Sequence, residues 1–310
     1  MNRNGATGGQ DRLHGIIPLR KEVGVTSFDC VRKIRHLLQV KKVGHSGTLD
    51  PDVEGVLPIC IGEATKVIPF LQQHKKTYEA EVHLGTATTT EDRTGDVIEK
   101  EEVTRHPSAE KIDRVLHSFN GTIVQVPPMY SAVKVKGKRL YEYARAGIEV
   151  ERPQREVTIH SICRLNEYDE KTNTFRFRVT CSKGTYIRTL CVDIGKQLGF
   201  PAHMSFLQRT ESDSFHLKET VTMADVKEAV ERNNVEHVLQ PIERSLTHLD
   251  SFHVSEETKR KVLYGQKLPR PPQSFKTDEV VLLFRRQLLA IYTVRQNDLK
   301  PVRVFNIQNV

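Results

Sequence analysis

Two hydrophobic periods alternate along this chain, and neither an all-helical nor an all-strand fold accommodates both. Phe28, Val31, Ile34, Leu37 and Leu38 recur at helical spacing, with Thr26 or Ser27 placed to cap the helix. The same period returns over 108–119 (Ile112, Val115, Leu116, Phe119), where Asn120-Gly121 marks the end, and over 185–198 (Ile187, Leu190, Cys191, Ile194, Leu198). By contrast, 78–84 (YEAEVHL) alternates with the period of a strand. Residues 15–19, 56–61 (VLPICI), 156–165 and 174–181 (TFRFRVTC) also read as strands. The expected class is α+β, a large mixed or antiparallel sheet flanked by helices.

At ~150 residues per domain, 310 residues suit one large domain and one small one. Residues 1–13 are polar and glycine-rich, too poor in apolar surface to offset the entropy of ordering, and are expected to form a disordered tail. The main domain is expected over 14–247. Beyond it a short helix (SEETKRKVLYG), a proline-rich linker and the runs VVLLF, LLAIYTV and KPVRVF predict a separate small β domain over 248–310.

Lys and Arg number 47 against 39 Asp and Glu, a net charge of +8, which favours a polyanionic partner, nucleic acid ahead of an anionic membrane. No apolar run reaches the length of about 18 residues that spans a bilayer, and the N-terminus lacks a signal-like apolar stretch, so a soluble cytoplasmic protein is expected. The five cysteines are scattered, with no C-x-x-C pair, and read as reduced thiols. H-E-x-x-H, Walker A and G-x-G-x-x-G signatures are absent, so no metal and no cofactor is expected.

Three segments carry chemistry. In KKVGHSGTLDPDVEG, Asp50 precedes a proline in a glycine-rich loop between more regular elements, where a carboxylate can be aimed into a cleft; on local sequence alone it reads first as an Asp-Pro turn former. In VPPMYSAVKVKGKRLYEYARAG, Lys134, Lys136, Lys138, Arg139 and Arg145 interleave with Tyr130, Tyr141 and Tyr143, a pattern suited to phosphates and bases, though charge alone fits a solvated helix-loop as well. SKGTYIRTL lies at a strand-to-helix junction. The intervening GTATTTEDRTGDV reads as loop.

Taken together, GHSGTLDP, KKTYEAEVHLG, the basic-aromatic segment, SKGTYIRTL and the C-terminal strands resemble the bacterial tRNA pseudouridine synthase family of TruB type. The resemblance covers most of the chain. It implies a pseudouridine synthase domain followed by a β-barrel-like PUA domain, and isomerisation of uridine 55 in the tRNA T loop by base flipping, without a cofactor. Asp50 is then the catalytic carboxylate, as nucleophile, base or electrostatic stabiliser. Burial disfavours an ionised carboxylate, so a nearby cation is expected, and Arg188 in SKGTYIRTL is the candidate. Tyr78 is expected to stack on the target base, Tyr186 to line the pocket, and His45 to contact RNA near the flipped nucleotide.

Lys21 in LRKEVGVTS matches a lysine of the family's first motif and is expected to bind substrate, although Glu22 stands where many relatives have proline. The basic-aromatic insertion, about 126–152, corresponds to an RNA-gripping thumb, with Lys134, Lys136, Arg139 and Arg145 as contacts. A thumb implies an enzyme that finds its own tRNA, without guide RNA or protein partner; a monomer is expected. The competing reading is a catalytically silent RNA chaperone, which would have no need of the Asp50, Tyr78 and Arg188 set.

Overall fold

The computed structural model describes residues 13–72 and 74–307, so the tail expected over 1–13 lies outside the described residues except for Leu13. Two compact units divide the chain, Met1–Gln72 with Asp213–Val310, and Gln73–Ser212.

The first unit opens with β1 (Gly15–Lys21), α1 (Ser27–Leu38), β2 (Val43–His45), β3 (Glu54–Ile61) and the single turn α2 (Ile68–Leu71). Strands β1 and β2 both pair antiparallel with β3. Helix α1 starts where Thr26 caps it: its hydroxyl accepts from the Asp29 amide, and the Asp29 carboxylate accepts from the Thr26 amide. This reciprocal cap satisfies two backbone donors at once, and Val31, Ile34 and Leu38 then face inward as the spacing predicts, with Leu37 partly buried and Cys30 joining them. Phe28, counted with that face, is instead 65% exposed.

The second unit contains β4 (Lys76–Leu84), β5 (Thr86–Thr88), β6 (Val97–Lys100), α3 (Ala109–Ser118), β7 (Gly121–Gln125), β8 (Lys134–Val135), β9 (Lys138–Arg139), α4 (Leu140–Arg145), β10 (Arg155–Arg164), β11 (Thr174–Cys181), α5 (Ile187–Leu198) and β12 (Ala202–Ser212). Its main sheet runs β12-β4-β11-β10-β7, antiparallel throughout. Alternation in β4 buries Tyr78, Ala80, Val82 and Leu84, while Glu79 and Glu81 pair with Arg178 and Arg176 of β11 at 2.7 and 2.9 Å on the other face. Helices α3 and α5 pack against this sheet. Helix α5 begins two residues later than the periodicity suggests, because Thr185 turns back to donate to the Ser182 carbonyl. The segment read as loop between residues 85 and 97 is a hairpin, β5 pairing with β6.

The chain then re-enters the first unit through β13 (Phe215–His216), α6 (Met223–Glu231), β14 (Asp250–His253), α7 (Glu256–Leu263), β15 (Leu268–Pro269), β16 (Glu279–Phe284), β17 (Gln287–Val294) and β18 (Asp298–Val304). A five-stranded sheet forms in the order β14-β16-β17-β18-β15, its one parallel pair being β14 with β16. These strands lie where the sequence places the small C-terminal β domain. The expected break at 247/248 is not a break in packing, however. Val281, Leu288, Ile291 and Phe305 share one core with Ile16, Val56, Cys60, Val67 and Leu71. Val280, Leu282 and Tyr292 point the other way, into a second core with Val262 of α7. A sheet buried on both faces needs apolar residues on both, which is why VVLLF reads as a continuous run.

Candidate active site and RNA-binding surface

In the first unit, the Asp50 loop is held from both sides by groups close to α1. Ser27, 2% exposed, accepts the Leu49 amide at 2.9 Å through its hydroxyl and donates to the Leu49 carbonyl at 3.1 Å. On the far side, the Gly24 amide donates to the Pro51 carbonyl at 2.9 Å, and Val53 closes a turn onto the Asp50 carbonyl. Lys21 completes the clamp. Its ammonium donates to the carbonyls of Val53 (2.6 Å), Glu22 (3.0 Å) and Pro51 (3.1 Å).

Lys21, expected to bind substrate, is 1% exposed, and its ammonium secures the loop that carries Asp50. A buried ammonium is tolerated where carbonyl dipoles replace its hydration. Asp50 itself is half-buried, and His45, five residues earlier, ends β2 opposite Ile59 and is also half-buried.

In the second unit, Tyr78 lies in β4 between Val179 and Arg209 of the adjoining strands and is 9% exposed. Arg209 is completely buried. Its guanidinium helps to hold down the nearby Cys181 thiol, which burial nevertheless pushes up to about 11, so this thiol is not a nucleophile near neutral pH.

Arg188, in the first turn of α5, is 5% exposed. Its guanidinium donates to the carbonyls of Tyr130 (2.9 Å) and Thr90 (3.1 Å) and lies 3.7 Å from the Asp92 carboxylate. Asp92 organises its own loop, accepting from the Thr90 hydroxyl (2.7 Å), the Thr94 amide (2.9 Å) and the Thr94 hydroxyl (2.6 Å). Beside it, Glu91 adopts a positive φ of 63° and accepts from Thr189 at 2.7 Å. Burial pushes the Glu91 carboxyl above its usual range, against the opposing pull of Thr189, Arg188 and Arg152.

Tyr186, the residue before α5, is partly buried, and Gln125 grips its backbone in both directions. The insertion that follows Gln125 is a small hairpin. Lys136 and Gly137, both at positive φ, turn β8 into β9 and put Lys134 opposite Arg139. Lys134, Lys136, Lys138, Arg139 and Arg145 are all exposed. The guanidiniums of Arg139 and Arg145 both sit over the Tyr141 ring, 5.7 and 5.3 Å from its centroid. Leu140, fully buried, anchors α4 beneath this surface.

Asp92, Gln125 and Arg209 were not singled out by the sequence, and Ser27 was read only as a possible helix cap. Asp92 had a readable signal, an aspartate two residues before a threonine in a Thr/Gly-rich stretch, which suits an Asx turn. Arg209 had none beyond an arginine on the inward face of an alternating strand. All five cysteines are unpaired, four of them buried. Among the described residues no cluster of three or more His, Cys, Asp or Glu side chains could hold a metal ion, and no helix is long and apolar enough to cross a membrane.

Comparison with known proteins gives this geometry a family context. Residues 35–187 match the family described as "TruB family pseudouridylate synthase (N terminal domain)", and residues 188–247 match "tRNA pseudouridylate synthase B C-terminal domain". The chain is 52% identical over 301 residues to tRNA pseudouridine synthase B of Oceanobacillus iheyensis, covering 96% of this chain and 99% of the other. Against tRNA pseudouridine synthase B of Bacillus subtilis it is 48% identical over 301 residues, covering 94% and 97%. Among solved structures, a chain of a Cbf5-Nop10-Gar1 complex superposes with a TM-score of 0.74 at 27% identity, covering 96% of this chain and 85% of that one. A chain of an H/ACA RNP bound to a substrate RNA containing 2'-deoxyuridine gives 0.73 at 25%, covering 94% and 85%.

Proposed function

Since this chain belongs to the TruB family of pseudouridylate synthases, we propose that it isomerises uridine 55 in the T loop of tRNA to pseudouridine, with Asp50 as the catalytic carboxylate. The reaction breaks the N1–C1′ bond, rotates the freed base and joins C5 to C1′; N1 gains a proton and C5 loses one. A base inside a loop costs less to extract than one in a duplex, though still about a few kcal/mol. In this reading Tyr78 provides the aromatic platform, Arg188 the fixed cation of the reaction, and His45 and Tyr186 the contacts around the extruded nucleotide. The exposed Lys134, Lys136, Arg139 and Arg145 bind the backbone, so the enzyme selects tRNA by itself, as a cytoplasmic monomer.

The observation that carries the reading is the Asp50 loop. A half-buried carboxylate is held between a serine clamp at Leu49 and a lysine clamp at Pro51 and Val53. Such immobilisation is wasted on a simple RNA-binding surface, where a carboxylate would repel phosphate, and is what positioning against a reacting atom requires. The test is tritium release from tRNA transcript carrying [5-³H]uridine. Wild type should release tritium, Asp50→Asn should not while still binding tRNA, and a transcript with cytidine at position 55 should release none. Tight binding without release by wild type would establish the chaperone reading instead.

A further inference from the structure

We propose that Gln125 is a positioning residue of the reaction, fixing the start of α5, and with it Arg188, to the root of the thumb. The inference rests on the role given to Arg188 above.

Gln125 is the last residue of β7 and is 2% exposed. Its side-chain oxygen accepts the Tyr186 amide at 3.0 Å, and its side-chain nitrogen donates to the Tyr186 carbonyl at 3.1 Å. The two partners leave one orientation for the amide, since an N–H needs an acceptor and a carbonyl a donor. Tyr186 is the cap position of α5, which has no side-chain cap of its own, and its carbonyl also accepts the first helical hydrogen bond, from Leu190 at 3.0 Å. The Gln125 side chain thus defines where the helix begins.

A second link closes the arrangement. Two residues beyond Tyr186, the Arg188 guanidinium donates to the carbonyl of Tyr130, five residues beyond Gln125. The segment 125–130, which feeds the thumb, is therefore bonded to 186–188 at both ends, once side chain to backbone and once backbone to side chain. Arg152, on the returning limb, donates to the Pro127 carbonyl at 3.1 Å between these two points. With both ends tied, the root of the thumb and the Arg188 guanidinium move as one body, so RNA held by the thumb fixes the cation. Satisfying a buried amide would not require partners on this one residue; the choice of Tyr186 is what gives Gln125 a function.

The experiment compares Gln125→Leu, Gln125→Glu and Arg188→Lys with wild type, measuring single-turnover tritium release, tRNA binding and thermal melting on the same transcript. Gln125→Leu fills the space without either hydrogen bond, and turnover should fall by ~10- to 100-fold, since misplacement near 1 Å reaches that scale, with tRNA affinity unchanged. In Gln125→Glu the ionised carboxylate still accepts from the Tyr186 amide but cannot donate to its carbonyl, whereas the protonated form does both. Its activity relative to wild type should therefore recover as pH is lowered, and that of Gln125→Leu should not. Undiminished turnover in Gln125→Leu, a loss that follows tRNA affinity, or a pH-independent deficit in Gln125→Glu would each overturn the proposal. Full turnover by Arg188→Lys would instead remove the role of Arg188 on which it rests.

Discussion

The ammonium of Lys21 stands 2.6 Å from the carbonyl oxygen of Val53, so the first strand of the fold and the loop carrying Asp50 are joined by a buried charge. Lys21→Met keeps the aliphatic stem but leaves the carbonyls of Val53, Pro51 and Glu22 without that donor. Stability should drop by about 1–3 kcal/mol, the usual cost of unsatisfied buried polar groups, and turnover should fall while tRNA affinity holds. Thermal melting beside filter binding checks this. A lysine that served RNA contact would give the opposite pattern, lost affinity with unchanged melting.

Asp92 lies 3.7 Å from the Arg188 guanidinium and accepts three hydrogen bonds from Thr90 and Thr94. Asp92→Asn preserves the shape but removes the negative charge and forces an amide N–H toward one set of donors. Turnover should fall by ~10- to 100-fold, equivalent to about 1.4–2.7 kcal/mol, with tRNA affinity nearly unchanged. Single-turnover kinetics under saturating enzyme would separate the two quantities.

The exposed thumb cations predict a salt signature. Each of Lys134→Ala, Lys136→Ala and Arg145→Ala should weaken tRNA binding and reduce the slope of log affinity against log salt by roughly one unit or less. A titration from low to physiological salt measures it. An unchanged slope across all three would place the phosphate contacts elsewhere.

These outcomes bear on how much the sequence could disclose. The α1 cap was legible because Thr26 and Asp29 are three residues apart and act locally. The Asp50 loop, the thumb cations and the C-terminal strands were equally visible as patterns of glycine, charge and apolar runs. The hold of Lys21 on the Asp50 loop was not legible because its partners at Pro51 and Val53 are some thirty residues away, and nothing local distinguishes a buried lysine from a surface one. The Asp92 hairpin read as loop because β5 is three residues long and rich in threonine, with its organising bonds made by side chains rather than by a hydrophobic period. Phe28 kept helical spacing yet points outward, since it lies in the first turn, at the margin of the apolar face.

Glu63 gives a pH-dependent prediction. It is 7% exposed, accepts from Lys66 at 2.6 Å and from the Asn306 amide at 2.8 Å, and lies 3.8 Å from Lys42. Burial pushes its carboxyl up, but Lys66, the Asn306 amide and Lys42 together outweigh burial and hold it below the usual glutamate value. A depressed carboxyl stabilises the fold above its unfolded value, near 4.5, and that contribution is lost as pH falls through the lower, folded value. Melting temperature should therefore favour wild type over Glu63→Gln at neutral pH, with the difference shrinking below about pH 4.5. A difference independent of pH would assign the effect to packing alone.

The core shared by Ile16, Val56 and Leu71 with Val281, Ile291 and Phe305 has a consequence for biosynthesis. The strand that follows the Asp50 loop emerges early from the ribosome, but part of the apolar surface that packs on it, Val281, Leu288, Ile291 and Phe305, is supplied more than two hundred residues later. At translation rates of about 5–20 residues per second, that strand waits on the order of ten seconds or more with its inner face only partly covered. The nascent chain meets its longest exposure to aggregation and chaperone capture at its N-terminal part. Residues 281–305 are thus needed before the core around Val56 and Cys60 of β3, the strand that follows the Asp50 loop, is complete.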